Sequence, residues 1–395
     1  MTKTFKAINI SLIFLVLGWM TSPTVVSLYH IIVIIPALYL LYEGPRFKLS
    51  KSSICLLLLT GWGIIATLVN LDTVVKYNKS FQEFKYYVFG VLLIFPLRLY
   101  FEKASNKQIR ILLNILFITI ITAFFVGISK AWFSFDPVKF EYGKFHERSG
   151  GFVNYMRYGY SSAFLFLFGL GIFFNRSYWQ QKINWKLFYP AWILCLGAIL
   201  TSQTRGAILA LMVGIPVLLF RYYPRFVKYC VGAGIIFVSI ILYISFASNS
   251  KNRFLDIKDG SNKKRMSQFY TAAMVIKEKP IFGLGSDQFS YNVKKYKEKY
   301  DIWSKKYIGH SHNIFLEHGA NFGVLGAIIL FFFFLFWLLE MWSVKTALAW
   351  SVISYICAYL VAGQVELLFD VMSSHLLFFV YSLSQVQYLN LIKKD

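Results

Sequence analysis

Four stretches of the chain carry residue types able to do chemistry. In Thr201-Ser-Gln-Thr-Arg205-Gly206-Ala207 a single arginine sits between two apolar runs. A turn this short holds the guanidinium at a membrane boundary, where its planar fork of donors suits a bidentate grip on phosphate. The bland alternative is an arginine snorkelling from a helix end. Arg265 opens a second stretch, Lys263-Lys264-Arg265-Met-Ser-Gln-Phe-Tyr, running to about Lys279. Met266, Phe269, Tyr270, Ala273, Met274 and Ile276 recur there at a roughly helical period, which predicts an amphipathic helix near the membrane surface. The third stretch, His310-Ser-His312-Asn313-Ile-Phe-Leu-Glu317-His318, packs three histidines into nine residues. His310 and His312 are two apart, with no acid or cysteine nearby at a zinc-like spacing, so neither a metal nor a cofactor is expected. His312 is instead a candidate general base, because imidazole titrates near neutrality. Asn313 and Glu317 beside it are candidate substrate contacts. The fourth stretch, Glu147-Arg148-Ser-Gly150-Gly151-Phe-Val-Asn154-Tyr155-Met-Arg157, offers Arg148 and Arg157 as further cationic contacts.

The elements that must position these residues follow from composition. Of 395 residues, 57% are hydrophobic and only 15% charged, with a mean hydropathy of +0.56. Soluble proteins carry about 25% charge. A soluble enzyme, a disordered chain and a nucleic-acid-binding domain are excluded. The reading is an all-α polytopic membrane protein, since a spanning helix needs roughly 20 apolar residues. Twelve candidate spans fall at about 7–23, 25–42, 53–70, 82–98, 109–129, 155–174, 188–203, 206–220, 228–247, 322–341, 345–362 and 367–390. The first is read as a retained span rather than a cleaved signal.

The net charge of +23 would suggest nucleic acid in a soluble protein, but here the cations sort by loop. Every second loop is short and basic, from Arg46, Lys48 and Lys51 through Arg98 to Arg110, Arg176 to Lys186, Arg221 to Lys228, Lys345, and the tail Lys393 and Lys394. By the positive-inside rule both termini are cytoplasmic. The intervening loops 71–81, 130–154 and 248–321 are longer and mixed in charge. The chain thus divides into spans over 1–247, an outer subdomain over 248–321 and further spans over 322–395. Cys55, Cys195, Cys230 and Cys357 all lie in apolar runs and give no disulfide framework. Glu366 and Asp370 fall near the outer end of the last span without an assigned role.

All four chemical stretches fall on the outer face, offering two to four arginines and one well-placed histidine without a carboxylate pair. That favours a phosphate-bearing, lipid-linked substrate over a two-carboxylate hydrolase or a metal-dependent transferase. At these residues the sequence resembles the O-antigen ligase family. His312-Asn313, nine residues, then Gly323-Val-Leu-Gly326 is similar to its HN-x9-GxxG signature. Ser202-Gln-Thr204-Arg205-Gly-Ala is similar to its T-x-S-R-G-A stretch, with Thr204 in place of the usual serine. Arg265 followed by Pro280-Ile-Phe-Gly283-Leu-Gly285 is similar to its R-xxx-W and P-x-x-G-x-G segments, with Phe269 replacing the tryptophan. Ser149-Gly150-Gly151-Phe-Val-Asn154 is similar to its Gly-x-Phe-x-Asn element.

The resemblance implies a GT-C-like membrane glycosyltransferase that moves a glycan from undecaprenyl diphosphate to a sugar of lipid A-core in the periplasm. Neither metal nor nucleotide takes part. It implies that Arg205 and Arg265 bind the diphosphate and steady it as it leaves, and that His312 deprotonates the acceptor hydroxyl, with inversion at the anomeric carbon. The nearest rival is an O-antigen or capsule polymerase with the same donor. A non-enzymatic polysaccharide flippase should carry charges within several spans, and here the mid-span positions are nearly free of them.

Overall fold

The computed structural model of the chain describes residues 2–43, 49–75, 81, 84–142, 150–229, 232, 261–368 and 371–392. Helices dominate: α1 Thr2–Gly18, α2 Pro23–Glu43, α3 Lys51–Val69, α4 Phe84–Leu92, α5 Ile94–Lys103, α6 Asn106–Phe133, α7 Tyr155–Phe174, the short α8 Arg176–Trp179, α9 Trp185–Ser202 and α10 Arg205–Tyr222. They are followed by α11 Ser261–Glu278, α12 Phe289–Lys299, α13 Ile314–Val344, α14 Ala347–Ala362 and α15 Val371–Ile392. A two-residue hairpin pairs Phe135–Asp136 with Glu141–Tyr142. Eight helices among the described residues are long and apolar enough to cross a membrane, counting α4 and α5 as one rod. The protein is an all-α, multi-pass membrane protein.

Eleven of the twelve expected spans overlap a described helix, while 228–247 lies outside the described residues except for 228, 229 and 232. Two boundaries differ from the sequence reading for physical reasons. The rod at 84–103 is parted at Leu93, because Pro96 has no N–H to satisfy the carbonyl of Leu92. The span expected at 322–341 begins instead at Ile314, eight residues earlier, so the His-rich stretch leads directly into a helix.

The helix ends gather into two opposed clusters. At one end Ser50 caps α3 by accepting from Ser53 N–H, and the neighbouring Ser52 N–H donates to Glu340 near the end of α13 at 2.9 Å. Gln385 of α15 donates to the same carboxylate at 2.8 Å. Arg110 of α6 and the loop carbonyl of Gln181 meet at this end too. At the other end Lys279 donates to Asn70 beyond α3 at 2.9 Å, Ser286 N–H to Thr67 at 3.0 Å, and Ile314 N–H to the carbonyl of Gly363 at 2.9 Å. Thr204, ahead of α10, reaches the carbonyl of Tyr155 at the start of α7 at 3.3 Å. The four chemical stretches therefore share one end of the bundle, as far as they are described.

A break in α13 locks the 280–285 turn to the bundle. Gly323 has φ +73° and ψ −179° within the helix. Val324 N–H consequently turns to the carbonyl of Pro280 at 2.8 Å, while Leu284 and Gly285 donate to Ala320 and Asn321 at 3.0 and 2.8 Å. A Cβ at Gly323 would run into the carbonyls of Ile281 and Pro280, and one at Gly283 (φ +58°) into those of Ala320 and Asn321. Glycine is the residue that accepts both the positive φ and the close backbone approach. Gly323 of the Gly323-Val-Leu-Gly326 motif thus serves the docking of a turn.

Helix α11 covers the stretch where a helical period was expected, with part of its apolar stripe on the outer face. Met266 and Tyr270 are exposed, whereas Ser267, Gln268, Thr271, Ala272 and Val275 are buried. The inner face is polar because it serves polar partners. Ser267 accepts from Lys297 of α12 at 2.8 Å, and Gln268 donates to the carbonyl of Gly309 at 3.3 Å.

Candidate functional site

The site is organised around the N-terminus of α13. Asn313 caps that helix, its Oδ1 accepting from Phe315 and Leu316 N–H at 3.0 Å each, while its Nδ2 donates to Gln364 at 2.9 Å. Such a cap satisfies donors that the first helical turn leaves without partners. Glu317, buried on the first turns, accepts from Ser311 N–H at 2.6 Å and so holds the preceding loop. Between these two anchors His312 adopts φ +58°. Non-glycine residues enter this region uncommonly, and such conformations cluster at functional sites.

Glu366, in the segment between α14 and α15, closes the site. Its Oε1 accepts from His312 Nδ1 at 2.9 Å and from His310 Nε2 at 3.1 Å. Its Oε2 has no hydrogen bond and lies 3.6 Å from Arg265. Burial alone would raise the pKa of this carboxyl, but the two histidines that hydrogen-bond it bring it down to about 2. The carboxylate is therefore ionised at any working pH. Such a group can only accept, which fixes the proton of neutral His312 on Nδ1 and leaves the lone pair on Nε2. Tyr307 meets that Nε2 at 2.8 Å, its ring nearly parallel to the imidazole.

The expectation that no metal site exists rested on the lack of an acid close in sequence to the histidines. The fold supplies that acid: the ligand atoms of His310, His312 and Glu366 lie within 4.8 Å of one another, close enough among the described residues to hold a metal ion. Two imidazoles and a carboxylate form a donor set that zinc accepts. Here both imidazoles share one oxygen at hydrogen-bond length, and Arg265 partners the other, so hydrogen bonding and ion pairing account for the arrangement.

Arg205 is the first residue of α10, with two residues between it and the end of α9. Gln203 makes the reversal in the left-handed region (φ +49°), and Thr204 then precedes the helix. Arg205 Nε is buried, and the adjoining Gly206 is approached by the Tyr160 hydroxyl of α7. Tyr160 in turn lies within electrostatic reach of Glu366 and Arg265. Arg205 therefore neighbours the His312 cluster through Tyr160. Arg157 lies one turn before Tyr160 on α7 and is half-buried. Arg148 lies outside the described residues, as does Asp370. His318 points into the core, with Nδ1 on the carbonyl of Ile314 at 2.8 Å and Nε2 on the Tyr87 hydroxyl at 2.9 Å.

Residues 190–331 match the family model described as O-antigen ligase. The chain carries an O-antigen ligase domain. No curated protein matches the chain. The O-antigen ligase domain runs from α9 into α13 and contains Arg205, Arg265, Tyr307 and His312. Arg157 precedes it, and Glu366 follows it, so the carboxylate reaches the ligase domain from the helices that come after.

Reasoning from residues alone noted Glu366 without giving it a role, and left out Tyr307 and Lys297. Glu366 carried one usable signal: an acid at the end of an apolar run is costly there and demands a partner. Its partners lie 54 and 56 residues away in sequence, at a separation that no local pattern reveals.

Proposed function

We propose that this protein is a membrane glycosyltransferase that moves O-antigen polysaccharide from undecaprenyl diphosphate to lipid A-core on the periplasmic face of the bacterial inner membrane. The observation that carries the reading is the convergence of a buried His312–Glu366 pair and two arginines at one end of the bundle, within an O-antigen ligase domain. Arg205 and Arg265 bind the diphosphate and offset its growing charge as it departs, the interaction that most favours such a transition state. His312 takes the acceptor proton, oriented by Glu366 as a carboxylate orients the histidine of a hydrolytic triad. The acceptor oxygen displaces the diphosphate directly, with inversion. Arg157, Arg148, Asn313 and Glu317 border the substrate, the last two by shaping the loop that carries His312.

Deleting the gene and resolving the surface glycans tests this reading. Free lipid A-core together with accumulated full-length lipid-linked polymer is the expected result. Core bearing a single repeat unit would instead assign a polymerase. In purified form, the transfer is expected to survive a strong chelator; loss of activity that zinc restores would replace the base by a metal centre at His310, His312 and Glu366.

The orientation rests on the cations at the opposite end, among them Lys103, Lys107, Arg110, Arg176, Lys182 and Lys186, which mark a cytoplasmic face. Single cysteines at Ser177 and Lys305, both exposed, are placed in a variant without the native cysteines. Lys305→Cys is expected to react with an impermeant reagent from outside, and Ser177→Cys only after permeabilisation. The reverse pattern would overturn the orientation.

A further inference from the structure

We infer that Tyr307 is the catalytic residue that meets the acceptor hydroxyl and relays its proton to His312, an inference that rests on the transferase reading and adds a second proton-transfer group to it. Both nitrogens of His312 are engaged, Nδ1 by Glu366 at 2.9 Å and Nε2 by Tyr307 at 2.8 Å. Because Glu366 accepts at Nδ1–H, the hydrogen in the second bond belongs to the phenol. The lone pair that a general base must offer is therefore already covered. His312 is itself buried, 7% exposed, while Tyr307 is half-buried and stands outermost in the chain Glu366–His312–Tyr307. An approaching sugar hydroxyl meets the phenol before the imidazole.

Tyr307 is held in that place. Lys297, fully buried on α12, donates to the carbonyl of Tyr307 at 2.8 Å and to that of Ser304 at 3.3 Å. Its third donor goes to Ser267 of α11 at 2.8 Å, two residues from Arg265. Three donors on an ammonium are thus spent on fixing one loop against two helices. The ring of Tyr307 also has Lys264 at 5.7 Å and Lys297 at 5.6 Å from its centre, while Arg265, Glu366 and Tyr155 interact with it electrostatically. Burial and the charge of Glu366 raise the phenol above its ordinary value against the opposing pull of Arg265, so the oxygen keeps a proton throughout the relay.

The step balances as follows. The acceptor O–H breaks as its oxygen bonds the anomeric carbon, and that proton passes to Tyr307 Oη. The Tyr307 proton passes to His312 Nε2, and the anomeric carbon–oxygen bond to the diphosphate breaks, the pair leaving with the diphosphate. The imidazolium remaining beside Glu366 later returns its proton to water.

Tyr307→Phe keeps the ring and removes the relay. The purified enzyme carrying it, assayed with a lipid-diphosphate-linked glycan and a lipid A-core acceptor, is expected to lose about 10²-fold or more in turnover, with donor binding and thermal stability near wild type. Fluorinated tyrosines of graded acidity at 307 are expected to change the rate in step with phenol acidity, which a merely structural ring would not do. A wild-type rate in Tyr307→Phe would overturn the relay and give the acceptor directly to His312. A glycosyl adduct trapped on Tyr307 would also overturn it, making the phenol a nucleophile. If His312→Ala keeps full activity, the transferase base itself fails, a result separate from either of these.

Discussion

Replacing His312 by alanine is expected to lower turnover by about 10²–10⁴-fold, the usual scale of general-base catalysis, while donor binding stays nearly intact. Glu366 should keep its orienting charge throughout the working range, because the two histidines that hydrogen-bond its carboxyl overcome burial and lower it to about 2, so the support it gives His312 is lost only as pH falls towards that value. His310→Ala removes one of two donors to Glu366 Oε1 and leaves the His312 bond in place, so its effect should be much smaller. His318→Ala should act on thermal stability instead, because it strips partners from Tyr87 and the carbonyl of Ile314 in the core. Rates measured across pH with the purified variants decide the matter; an active His312→Ala enzyme would remove the assignment.

The second large effect is expected at the arginines. Arg205→Lys and Arg265→Lys should each lose most of the transfer rate while the protein still inserts. Lysine keeps the charge, so simple electrostatic attraction of an anionic donor would survive. A planar, two-pronged grip would not, because one ammonium cannot reproduce the fork. Loss of one charge-assisted contact is worth roughly 1.5–3 kcal/mol, or about ten- to hundredfold in rate. The two sites should differ in one respect. Arg265 also faces Glu366 at 3.6 Å, so its lysine variant should additionally loosen the carboxylate that orients His312, whereas Arg205→Lys should leave that pair in place. Both lysine variants running near the wild-type rate in purified membranes would refute the phosphate role and leave Arg205 as a helix-end cation.

Hydrophobic run length determined the helical, multi-pass architecture from the sequence alone, because a bilayer imposes a fixed thickness and obliges backbone groups to pair within each segment. Short, local motifs also marked Arg205, Arg265 and His312, since a two-residue turn, a basic helix start and a helix-capping stretch are each written in consecutive residues. The alternation of basic and mixed loops separated two ends of the bundle for the same reason. Tertiary structure alone decided what lay beyond local reach. Ser267 and Gln268 of α11 have no evident partners in sequence until Lys297 and the carbonyl of Gly309 are found against them. Gly323 reads only as one glycine of a short motif until the carbonyls of Pro280 and Ile281 are found against it. Glu366 lacked a partner in sequence, yet a buried carboxylate must be compensated, and the two histidines and the arginine that compensate it come from α11 and the loop before α13. Only the packed bundle brings those segments to one oxygen pair, and with them the orientation of His312 and the covering of its lone pair by Tyr307.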